Sequence, residues 1–334
     1  MNMKELLPRS RCMQEAAEAK KGLIWILELL IFVVVFIAST FAQMLIMIPA
    51  ELIMMFTDKG YMDAAASGDS QAILEATMAL QQKLMSSDVY SIVMLFSDIM
   101  IILVVFLFCR LLQKRKLRTL GFVKKDILKE YGIGILAGFA FFSVCVGLGL
   151  LTGGLKFGGI SPEFSIGIFV LYLLGYMVQG MAEEVLCRGY FLGSYARRYP
   201  VYAAVLANSL LFAALHLLNS GISVLAIVNL TLFGIFASLY FVRRGSIWGI
   251  GAFHTVWNLV QGNFYGIKVS GMSLGNTFLT MNPVEGKELL NGGDFGMEGS
   301  LICTLVYVIG IIWLLTRKNK DGEVETMVES AVAQ

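Results

Sequence analysis

Charge is scarce in this chain. Only 15% of its 334 residues are charged, where a soluble domain carries about a quarter, and that shortage excludes an ordinary water-soluble globule. The period-2 alternation of a transmembrane barrel is missing too. The five cysteines (Cys12, Cys109, Cys145, Cys187 and Cys303) are scattered, with no CxxC pair and no disulfide framework. No internal repeat or low-complexity tract occurs. A net charge of +2 gives no footing for a nucleic-acid partner. Histidine is rarest of all, with two in the whole chain.

What is present is apolar length. Hydrophobic residues make up 57% of the chain, and they recur in runs long enough to cross a hydrocarbon core of ~30 Å as helices. The reading is an all-α, polytopic transmembrane bundle of about eight spans: roughly 22–50, 90–112, 131–153, 164–196, 201–218, 222–242, 246–264 and 300–316. The first follows Lys20 and Lys21, is too long for a signal-peptide core and ends in no small-residue cleavage site, so it reads as a retained anchor. Only five of the 26 basic residues, Lys59, Lys83, Lys156, Lys268 and Lys287, fall in the segments that alternation places outside. The positive-inside rule therefore predicts that both termini are cytoplasmic. The basic block from Arg110 to Lys129 reads as a topology determinant or as a surface lying on the anionic inner leaflet. Between spans, "QAILEATMALQQKLM" reads as a surface helix, 265–299 as a Gly- and Asn-rich outer loop, and the polar C-terminal tail as disordered.

Against this background a few polar residues stand out. Ionisable groups inside spans cost about 2.5–3.5 kcal/mol even on lenient scales and mark functional sites by default. "GMAEEVLCRG" (180–189) places Glu183, Glu184 and Arg188 in the fourth span, and both histidines, His216 and His254, lie in later ones. Counted from the basic ends of their spans at 1.5 Å per residue, Glu184, His216, His254 and Asn258 lie ~21, ~24, ~15 and ~21 Å deep. Matched depth on three helices predicts convergence. Glu184 and Arg188 form an i, i+4 pair in the favoured orientation, which leaves Glu183 without that partner and suited to general-base work. His254 and Asn258 share one face, one turn apart. A carboxylate, two imidazoles and a carboxamide can deprotonate a water and hold an oxyanion; they are also nearly a His, His, Glu metal set. Asp98, on the second span, shows no obvious partner and reads as an interface or packing residue. Asn208 and Asn229 read as interhelical hydrogen-bonders.

Three of these segments together resemble a known family. "EEVLCR" fits E-E-x-x-x-R, "FAALH" fits F-x-x-x-H through Phe212 and His216, and "HTVWN" fits H-x-x-x-N. In this order, they resemble the CPBP family of intramembrane proteases. That family includes the type II CAAX prenyl endopeptidase and bacterial bacteriocin-processing and immunity-type members. The resemblance covers ~130–265 and divides the chain into 1–129 (two accessory helices and a basic loop), 130–265 (protease core) and 266–334 (outer loop, last helix, tail). It implies an intramembrane peptidase, with its cavity open to the cytoplasm, acting on a membrane-associated peptide or protein in a bacterial cell membrane. Glu183 and His216 would activate water, His254 and Asn258 would form the oxyanion hole, and Glu184, Arg188 and Phe212 would support them. The family is also described as metal-dependent, in which case Glu183, His216 and His254 would hold a divalent ion such as zinc. No HExxH occurs, which excludes the site-2 type of metalloprotease. No GxSG supports a rhomboid serine site, and the one "GGDF" lies in an outer loop. On the residues alone, a proton-coupled transporter and a non-catalytic scaffold in bacteriocin immunity stay open as alternatives.

Overall fold

The computed structural model describes residues 7–317. Lys4 and the tail 318–334 lie outside the described residues. The architecture is an all-α membrane bundle. Its apolar helices, in chain order, are α1 (Trp25–Thr57), α2 (Asp88–Leu111), α3 (Ile127–Leu151), α4 (Ile166–Tyr195), α5 (Val201–Leu215), α6 (Val224–Arg244), α7 (Trp248–Leu259) and α8 (Leu301–Leu315). All eight expected segments are therefore helical, but only α1, α2, α3, α4 and α6 are long and apolar enough to cross a membrane by length and composition. Helices α5 and α8 have 15 residues each and α7 has 12, so they rise only ~18–22 Å. Surrounded by protein, a helix can end early, because neighbouring groups rather than lipid meet its last carbonyls.

The packing centres on α7, which lies between α3 and α4. Glycine makes that approach possible. A Cβ on Gly134 of α3 would come within 2.1 Å of the Gly249 carbonyl oxygen, and one on Gly138 within 2.7 Å of that of Phe253. Small residues four apart let two membrane helices touch backbone to backbone. Gly180 of α4 meets Thr255 from the other side in the same way. Helix α6 packs on α5 and α8, while α1 and α2 pair with each other and α2 leans on α4.

One end of the bundle is tied by arginine. Arg244 makes two bonds to the Glu130 carboxylate, at 2.6 and 2.9 Å, joining α6 to α3. Arg197 reaches Glu28 at 3.1 Å and joins the foot of α4 to that of α1. The basic block is less exposed than its sequence suggests. Arg115 is fully buried, donating to Gln113, Ser194, Thr119 and the Gly189 carbonyl, so it braces the protein rather than facing lipid headgroups.

At the other end the expected surface helix is present as Ser70–Met85. Asp58, after α1, accepts from Lys83 at 2.7 Å and from the Tyr61 amide at 3.0 Å. The lysine bond above all holds its carboxyl below the usual range. The loop 265–299 is not irregular throughout: Leu279–Pro283 pairs antiparallel with Leu155–Ile160, giving a two-stranded ribbon that pins the loop over the bundle. None of the five cysteines is in a disulfide.

Candidate active site

Helix α4 changes character where its charges lie. It is α-helical through Glu184 and then widens into a π-helical stretch, Val185–Leu192. Helix α7 does the same just past Asn258, running into a π turn at Val260–Phe264. Such turns gather at functional sites, where they re-aim side chains.

The Glu184–Arg188 pair forms as expected, with Arg188 Nη1 2.9 Å from Glu184 Oε1 and both side chains wholly buried. The guanidinium lies 4.6 Å from the Phe212 ring centroid and 5.5 Å from that of Phe233, so the cation is faced by aromatic rings as well as by its acid. The same Glu184 oxygen is also 2.9 Å from His254 Nδ1. A carboxylate can only accept there, so Nδ1 carries the proton and the ring is fixed. Glu184 thus does more than neutralise Arg188: it orients a histidine from another helix.

With Nδ1 engaged, His254 directs Nε2 at Glu183, 3.8 Å from Oε2. Glu183 is held by one oxygen. Its Oε1 accepts from Gln179 Nε2, while Oε2 is buried with no hydrogen-bond partner. Gln179 also accepts from Asn258 Nδ2 at 3.0 Å, so one amide links the acid to the carboxamide on α7. Asn258 keeps its second N–H for another acceptor. The sequence reading left Gln179 out and took Glu183 as unpartnered; in fact Gln179, one turn earlier on the same face, holds it from behind.

His216 is not inside a span. It is the residue that ends α5, and its Nδ1 meets the Phe212 carbonyl at 2.8 Å. That bond satisfies a helix-end carbonyl and leaves Nε2 as the acceptor nitrogen. The ring rests against Phe212, centroids 4.7 Å apart.

Glu183, His216, His254, Asn258 and Phe212 all line one cavity of about 290 Å³. Its other walls come from regions read as accessory: Gln43 of α1, Asp98 of α2, Ser270 and Glu298 of the outer loop, and Tyr307 of α8. Asp98 is therefore not a lipid-facing or packing residue. It accepts from Gln43 Nε2 and faces the cavity. Glu298 accepts from Trp257 Nε1 at 3.3 Å and from the amide and hydroxyl of Ser270 at 2.9 Å each. Asn208 and Asn229 stand where expected, bonding Ser238 across to α6 and the Glu298 and Ser300 carbonyls respectively.

A metal held by Glu183, His216 and His254 would need all three within about 2.2 Å of one point. Among the described residues no three His, Cys, Asp or Glu side chains gather to hold an ion.

Residues 165–260 match the family described as type II CAAX prenyl endopeptidase Rce1-like. That stretch is similar to an Rce1-like domain. That domain runs from the start of α4 to the end of α7, so it contains Gln179, the Glu-Glu-Arg cluster, Phe212, both histidines and Asn258. It omits Gln43, Asp98, Glu298 and Tyr307, which complete the cavity from either side. The Rce1-like match and the membrane-length helices support an integral membrane protease of the CAAX type. Comparison with curated proteins and with solved structures gave no match.

Proposed function

We propose that this protein is an intramembrane endopeptidase that hydrolyses a peptide bond in a membrane-associated peptide or protein, in a bacterial cell membrane. The observation that carries the reading is Glu183 Oε2, a buried carboxylate oxygen without a partner, on a cavity shared with both histidines and Asn258. An unsatisfied buried acceptor is costly; a water or a substrate group removes that cost.

In this mechanism Glu183 Oε2 takes a proton from a water positioned with the help of His216 Nε2. The water oxygen attacks the scissile carbonyl carbon. The oxyanion that forms accepts hydrogen bonds from His254 Nε2 and the spare Asn258 N–H. For His254 to donate there, both ring nitrogens must carry protons, a state that the Glu184 carboxylate at Nδ1 favours. Collapse breaks the C–N bond, and Glu183 passes its proton to the leaving nitrogen. The water oxygen remains in the new carboxyl group. Gln179 keeps Glu183 and Asn258 in register throughout.

The test is detection of products by mass spectrometry. Purified protein in lipid nanodiscs meets a pool of peptides, prenylated and unprenylated, with the Glu183→Ala variant alongside. Products from the wild type alone are expected. Products in equal yield from both would remove Glu183 from its role.

A further inference from the structure

From the cavity wall that lies outside the Rce1-like domain, we infer that Asp98 is a specificity-determining residue: it receives a lysine or arginine side chain of the substrate next to the scissile bond. The inference rests on the peptidase reading above.

The cavity lining includes three carboxyl groups, Asp98, Glu183 and Glu298, and no lysine or arginine. Glu298 already accepts three hydrogen bonds, one from Trp257 and two from Ser270. The other two are built alike. Each has one oxygen fixed by a glutamine amide, Gln43 for Asp98 and Gln179 for Glu183, and both residues line the same cavity. Arg188 does not line the cavity and is held by Glu184, and the protonated His254 stands between Glu184 and Glu183. Asp98 lines a small, largely apolar cavity with no ion-pair partner among the described residues, and a cation brought in by a ligand supplies the counter-charge. Glu183 is committed to water, so the place for that cation is Asp98.

The placement of Asp98 suits a fixed receptor. It sits at the junction in α2 between Asp88–Ser97 and Ile99–Leu111, and its side chain reaches the cavity. Gln43, reaching across from α1, removes its rotational freedom, so little entropy is left to lose on binding.

Two peptides suffice as probes: a short amphipathic peptide with one lysine flanking the cleaved bond, and the same peptide with glutamine there. In nanodiscs of uncharged lipid, which avoid surface attraction of the lysine peptide, wild type should cleave the lysine peptide about tenfold faster in kcat/KM, as a charge-assisted hydrogen bond implies. Asp98→Asn, which keeps the shape and the Gln43 contact, should abolish the preference by slowing the lysine peptide and sparing the glutamine one. Equal loss on both peptides, or no preference in the wild type, overturns the inference. Binding separates this from the peptidase reading. With cleavage disabled by Glu183→Gln, fluorescence anisotropy should still favour the lysine peptide, and adding Asp98→Asn should erase the difference. Absence of cleavage with charge-selective binding intact would sink the peptidase alone; binding without charge preference would sink the role of Asp98.

Discussion

Helix α1 is more apolar than α6, with mean hydropathies of 2.6 and 2.1 over their most apolar stretches, yet only 17% of that stretch is buried inside the protein in α1 against 61% in α6. In water the order would be reversed. In a bilayer the solvent is itself apolar, so the most hydrophobic helix can stand outermost, and burial instead follows the residues that need protein partners. Helix α6 bonds through Asn229 and Ser238, and Gly234 brings it close against Ser209 of α5. Helix α1 turns Leu45, Ile53 and Phe41 outward and contributes Gln43 to the cavity. The two helices differ in what surrounds them, and the candidate reacting groups stand on neither but on α4, α7 and the end of α5.

Substitutions can break or sharpen that contrast. The largest effect should come from His216→Ala. Loss of a positioned acid–base group lowers activity about 10²–10⁴-fold, with folding preserved, because the ring bonds the carbonyl at its own helix end rather than another helix; rates and circular dichroism check both halves. Next, Arg188→Ala removes the partner of a fully buried Glu184. Removing one partner of a buried ion pair costs about 3–5 kcal/mol, which thermal unfolding in detergent should register as a large drop in midpoint. Gln179→Leu is milder: the protein stays folded and kcat/KM falls about tenfold, since Glu183 and Asn258 each lose one hydrogen bond worth ~1 kcal/mol. Smallest of all is Leu45→Ala on the outer face of α1, where the side chain is 70% exposed. Stability should stay within about 0.5 kcal/mol and activity unchanged. A sizeable effect there would mean that α1 has a protein partner rather than lipid.

Much of this was legible in advance. Helices read from apolar runs appear in place, because in lipid every backbone group must be satisfied within its own segment and long runs leave no other solution. The Glu184–Arg188 pair followed from i, i+4 spacing alone. What stayed hidden was relational. Glu184 meets His254 across 70 residues of chain and Gln43 meets Asp98 across 55, and no spacing rule reaches that far. Gln179 was nearer, four residues before Glu183, but an uncharged amide in a span attracts less notice than an acid. The ribbon between Leu155–Ile160 and Leu279–Pro283 was missed because its strands are short, glycine-bearing and distant in sequence. The early end of α5 was missed because hydropathy continues through Leu217 and Leu218 after the helix has stopped.

The central claim is that Glu183 activates water in this cavity. The direct measurement is the cleavage rate of the Glu183→Gln variant in nanodiscs against wild type, with thermal midpoints determined in parallel. The glutamine keeps the size and one acceptor of the acid but cannot take the proton. The account predicts loss of about a thousandfold or more with the midpoint unchanged. A variant that cleaves within about tenfold of wild type would contradict it, because a group that can be neutralised without cost is not the base.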